Sequence, residues 1–261
     1  MVAGYADGQG ARASAGVSAS ATATAAATTW GMGAILSALA LSACFDVQKI
    51  DPGKEAFVIS DFEQGQAVAN SALFDRWFCI TFNPQLGQDP GQTVTCAVED
   101  YPGDQSQFGL MATFALHNGL PDAQYAGATL MTIADDAAVD FNGFQYLSFK
   151  LRVEFGGPPP PTAQVDVQLG CNSVAGQDTN DHQEYFDLFH LIAATPTWST
   201  FQLPLSSFMQ RMDETNLFKG GPKACLGLVD SVRFEVNALL MQGQSASGTL
   251  HVDDVRLEGP V

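Results

Sequence analysis

Basic residues are scarce in this chain. Lys and Arg together number 11 against 28 Asp and Glu, giving a net charge of −17 over 261 residues. A nucleic-acid binder needs a basic patch to displace counterions, and attraction to anionic lipid headgroups needs one too. The sequence supplies no such patch, so nucleic acid is excluded as a partner. Histidine is almost as rare. His117, His182, His190 and His251 form no H-E-x-x-H and no close pair, so a metal-catalytic centre has no ligands. There is no G-x-S-x-G nucleophile elbow, no P-loop and no GxGxxG. No two cysteines share the close C-x-x-C spacing of a zinc site. No apolar run reaches the roughly 20 residues that a membrane-spanning helix needs. These absences leave no catalytic residue to name, and the chain is read as not an enzyme.

What the N-terminus does have is an apolar run of about 15 residues, from near Trp30 to Cys44, the length of a signal-peptide core. It ends in Leu41, Ser42, Ala43 and Cys44. That ending resembles the lipobox of bacterial lipoproteins. The resemblance implies that Cys44 is lipidated and becomes the new N-terminus, anchoring the protein to a lipid bilayer. Residues 1–43 are then a signal region with an Ala/Ser/Thr-rich low-complexity tract, and 44–54 a short tether. The chain departs from the pattern in its basic n-region, since residues 1–31 hold one basic residue, Arg12. Phe45 stands where an Asp would retain such a lipoprotein at the inner membrane. The expected location is therefore the cell envelope, outside the cytoplasm, at the outer membrane.

Four cysteines follow: Cys79, Cys96, Cys171 and Cys225. An even count behind an export signal points to two disulfides, for which three pairings are open. Cys79–Cys96 and Cys171–Cys225 are favoured, because the first pair flanks a Gly/Pro/Asn-rich loop that reads as a hairpin.

From residue 55 onward the apolar pattern has period two. In YLSFKLRVEF, 146–155, Leu147, Phe149, Leu151, Val153 and Phe155 share one face. Residues 163–169, 231–240 and 248–258 repeat the pattern. Turn clusters lie between them, including the four prolines 158–161, read as a stiff hairpin loop. Many short strands without helical connections predict one all-β sandwich over 55–259. The alternation sets one puzzle. Leu250 and Val252 face the core, which puts Asp254 in the core-facing phase. A buried carboxylate needs a metal, an Arg or backbone donors, unless the strand carries a bulge.

Four pieces occur in order: FVISDFEQGQ, VDFNGFQYLSFKLRV, TWSTFQLPLSSFMQ and SGTLHVDDVRLE. Together they resemble the galactose-binding-like jelly-roll domains. These include carbohydrate-binding modules of the family 11 type and the related domain of complex I intermediate-associated protein 30. The resemblance implies a jelly-roll β-sandwich that binds a polysaccharide or glycan. The alternative it leaves open is a protein-binding or assembly role on the same fold. It also implies a structural calcium held by Glu63 with Asp253 or Asp254, although Gln64 replaces the usual acid or amide before the glycine. Otherwise these are solvated acids at strand ends.

Sugar clefts on this fold combine aromatic rings with acids, amides and Arg. The outward-facing candidates are Tyr146, Lys150, Arg152, Asp166, Gln168, Tyr185, Arg233 and Glu235, with Arg152, Gln168, Tyr185, Tyr146 and Glu235 singled out. Arg152 and Gln168 are expected on adjacent strands of one concave surface. Trp77 is read as core, and Trp198 as packed against the fold.

Overall fold

The structure, a computed structural model, describes residues 47–51, 53, 56–67, 69–70, 73–82, 92–100, 108–119, 122–134, 138–171, 186–210 and 221–260. Cys44, His182 and Tyr185 lie outside the described residues, as does the whole of 1–43.

The chain folds into strands β1 (Gln48–Lys49), β2 (Phe57–Ser60), β3 (Phe74–Phe82), β4 (Thr93–Asp100) and β5 (Phe108–His117). There follow β6 (Gln124–Ala134), β7 (Val139–Asp140), β8 (Phe144–Phe155), β9 (Gln164–Cys171) and β10 (Phe186–Ala193). Last come β11 (Ser199–Pro204), β12 (Met209–Gln210), the short helix α1 (Gly221–Leu226), β13 (Val229–Leu240) and β14 (Ser245–Pro260). The strands pair into two sheets. Sheet A runs β3-β6-β13-β9-β10-β12, with β1 and β7 joined at the start of β13; sheet B runs β11-β8-β14-β5-β4, with β2 on β14. This is the jelly-roll sandwich.

The period-two pattern explains the core. Leu147, Phe149, Leu151 and Val153 of β8 are buried, as are Val165, Val167 and Leu169 of β9 and Val232, Phe234 and Val236 of β13. Phe149 of sheet B meets Phe234 of sheet A edge to face at 4.8 Å, and Trp77 stacks on Phe234 at 6.1 Å. These rings carry much of the apolar burial between the layers. Trp77 is core, as its neighbours imply.

Two loops differ from expectation. The prolines 158–161 do not close a hairpin. β8 pairs with β11 and β14, whereas β9 pairs with β10 and β13. The proline segment instead carries the chain from sheet B to sheet A. The segment between Cys79 and Cys96 is likewise no hairpin, since β3 pairs with β6 and β4 with β5. Both favoured disulfides form, but Cys79–Cys96 clips the edge of sheet A to the edge of sheet B. Cys171–Cys225 ties β9 to α1 and is sealed in the core.

The Asp254 puzzle resolves through a bulge and an Arg together. The register of β14 shifts between Asp253 and Arg256, and Asp254 takes a left-handed φ of 58°. The bulge inserts the extra residue, so Val252 and Val255, three apart, are both buried. Asp254 is turned out of the core phase, paired with Arg256 and lying 3.9 Å from Lys150.

Candidate functional site

The outer face of sheet A carries the arrangement with the most chemistry. Register places Ile80, Thr129, Glu235, Asp166 and Leu191 in one row across β3, β6, β13, β9 and β10. The next row is Phe78, Met131, Arg233, Gln168 and Phe189. On the other side lie Phe82, Gly127, Asn237, Gln164 and Ala193. Strands lie about 4.8 Å apart, so each row spans roughly 19 Å.

Outer faces of antiparallel sheets are normally polar and wet. Here the middle of the face is polar but covered. Asp166 is 2% exposed, Glu235 9% and Asn237 8%. Burying such groups is costly unless they are hydrogen-bonded. Gln168 Nε2 donates to Asp166 Oδ2 at 3.0 Å and to Glu235 Oε2 at 3.4 Å. Thr129 Oγ1 donates to Glu235 Oε2 at 3.2 Å, and Asn237 Nδ2 to Glu235 Oε1 at 3.5 Å. Glu235 is thus the hub. Arg233 Nε donates to Ser231 Oγ at 3.2 Å, and Ser231 Oγ to Asp230 Oδ1. The flanks are apolar and open: Ile80, Ile133 and Tyr125 on one side, Leu191 on the other, are exposed. A polar floor between apolar banks suits a ligand with both hydroxyls and apolar ring faces.

The structure separates the sequence candidates. Gln168, Asp166, Arg233 and Glu235 meet on sheet A. Tyr146, Lys150 and Arg152 lie on β8, in sheet B. Arg152 and Gln168 are therefore not neighbours, because the chain changes sheets between them. Arg152 joins a second cluster on the outer face of sheet B. Its Cζ lies 5.5 Å from the Trp198 ring centre, its Nη1 3.5 Å from Glu154, and its Nη2 3.2 Å from His251 Nε2. Trp198 is partly exposed but packed, as expected for its place before β11. Burial, and then the Arg152 charge, lower the His251 pKa to about 4. His251 is thus a neutral imidazole that accepts from Arg152.

The three residues expected to bind calcium stand as follows. Glu63 is exposed in the turn after β2, its backbone N–H donating to Asp61 Oδ1 at 3.2 Å. Asp253 is buried and accepts the Asp254 N–H at 2.7 Å. Asp254 is engaged by Arg256. Among the described residues no group of three His, Cys, Asp or Glu side chains stands where it could hold a metal ion.

Sequence reasoning missed Asn237, Thr129 and Gly127. Alternation of β13 put Asn237 on the Glu235 face, and that was the available signal. Gly127 matters through the space it leaves: a Cβ there would come within 2.9 Å of Glu235 Oε1.

No family model matches the chain, and no curated protein matches it. Solved structures do. A family 11 carbohydrate-binding module from Clostridium thermocellum, in complex with a β-1,3-1,4-mixed-linked tetrasaccharide, is similar at 18% identity. The match covers 79% of this chain and 96% of that one, with a TM-score of 0.50. The family 11 module of a cellulosomal cellulase from the same organism is similar at 16% identity, covering 78% and 95%, with a TM-score of 0.48. At these identities the likeness speaks for the fold.

Proposed function

We propose that this chain binds carbohydrate on the outer face of sheet A without acting on it. The observation that carries the reading is the covered, hydrogen-bonded floor of Asp166, Gln168, Glu235, Asn237 and Thr129 between exposed apolar banks. Carboxylates and amides there serve sugar hydroxyls, and the banks serve the ring faces. The fold shared with modules that bind glycans supports it, and a mixed-linked β-glucan is the first ligand to try. Asp166 and Glu235 sit side by side on the floor and share one donor. Glycoside hydrolysis wants two carboxylates flanking the scissile bond, one on either side. Lipidation of Cys44 would tether the module to the outer membrane. Single-site affinity is modest for such shallow faces, and many tethered copies raise it by avidity.

A glycan array of the full chain with its disulfides intact, run with calcium and with chelator, tests this. Binding to one polysaccharide class, reduced at least tenfold by Glu235→Ala, supports the reading. Binding lost in chelator would add a calcium requirement. A blank array from folded protein overturns the reading and favours a protein partner on the same face. Labelling with a fatty-acid probe, abolished by Cys44→Ser, tests the anchor.

A further inference from the structure

The floor of sheet A buries an amide oxygen that has no hydrogen-bond partner. Asn237 is 8% exposed, and its Oδ1 accepts no hydrogen bond from the described residues. Its Nδ2 donates to Glu235 Oε1. With the amide nitrogen given to Glu235, the oxygen lies at the other end of the side chain. The oxygen is left buried without a donor.

The surrounding fold keeps it so. Gly127 faces Asn237 across the β6–β13 pair, and Glu235 leans into the space that the missing side chain leaves. Thr129 and Gln168 hold the other oxygen of Glu235. Turning Asn237 round would set its oxygen against that carboxylate. The donors of Thr129 and Gln168 are taken up by Glu235 and Asp166. Arg233, two rows from Asn237, has its Nε on Ser231. Asn237 Oδ1 thus sits beside a carboxylate, in surroundings rich in acceptors.

We propose that Asn237 Oδ1 is the specificity-determining acceptor of this face. It takes the O–H of a sugar hydroxyl and makes the face refuse sugars in which that hydroxyl is replaced by an anionic group. The inference rests on the carbohydrate reading above. A hydroxyl donates a proton and satisfies the oxygen. A carboxylate brings further acceptors beside two acids, and the buried oxygen stays unmet.

The test is calorimetric titration of the full chain with two probes: a β-1,3-1,4-mixed-linked glucan tetrasaccharide, and the same tetrasaccharide oxidised to uronate at its primary hydroxyls. The neutral sugar is expected to bind at least tenfold more tightly than the uronate. Asn237→Leu and Asn237→Ala should each lose at least tenfold in affinity for the neutral sugar. The thermal midpoint of Asn237→Leu without sugar should change little, because the unmet acceptor is removed together with the long Nδ2 contact to Glu235 Oε1. A residue with a purely structural role would give the opposite pair of results, lower stability and unchanged binding, and that would overturn the inference. Equal binding of the two probes would also overturn it. Wild-type protein that binds neither probe overturns it as well, and the array then decides whether the carbohydrate reading falls with it.

Discussion

Asp166 and Glu235 lie directly opposite each other on β9 and β13, both buried, and the side-chain nitrogen of Gln168 donates to both. Two acids this close repel unless donors separate them. Removing the shared donor in Gln168→Ala should cost about 2–3 kcal/mol, since it leaves buried charged acceptors short of a partner. Urea unfolding measures this. Asp166→Asn in the same chain should recover part of the loss, and strict additivity of the two changes would count against a shared network.

Gly127→Ala places a methyl where Glu235 Oε1 now sits. The glutamate must move, which breaks its contacts with Thr129 and Asn237. The expected outcome is a stability loss of about 1–2 kcal/mol, in line with overpacking, together with weakened glycan binding. A variant that binds sugar as the wild type does would show that Glu235 can be displaced without consequence.

His251 gives a pH dependence of definite sign. Its pKa in the fold is about 4, against 6.5 in the unfolded chain. Between these values the unfolded chain binds more protons, so stability falls as pH drops from 6.5 toward 4. The contribution at stake is on the order of 3 kcal/mol. Thermal midpoints of wild type and His251→Gln at pH 7 and pH 4.5 isolate it, because the carboxylates titrate in both proteins. The wild type should lose more on acidification, and parallel losses would remove His251 as the cause.

The two disulfides should differ in reactivity. Cys79 and Cys96 are half-buried at the sheet edges, whereas Cys171 and Cys225 are sealed. No residue of β4 is fully buried, and the strand is held by its pairing with β5 and by the clip. Mild reduction followed by alkylation and mass mapping should label Cys79 and Cys96 first. Cys79→Ala/Cys96→Ala should cost about 3 kcal/mol by loop closure over the separation of 17 residues. Loss of both bonds at the same rate would contradict the difference in access.

The sequence alone determined much of this protein. Period-two alternation fixed which side chains of β8, β9, β13 and β14 face the core, because successive strand residues must point to opposite sides. The same rule exposed Asp254 as a misfit and named both the bulge and the Arg that accommodate it. Which strands become neighbours is set by packing between distant segments, and a periodic pattern does not encode it. Thus the prolines 158–161 read as a hairpin but change sheets, and Arg152 and Gln168 read as partners but stand on opposite faces. Only the tertiary structure brought Gln168, Glu235 and Asn237 together. They come from β9 and β13, far apart in sequence, and their hydrogen bonds exist only once those strands lie side by side.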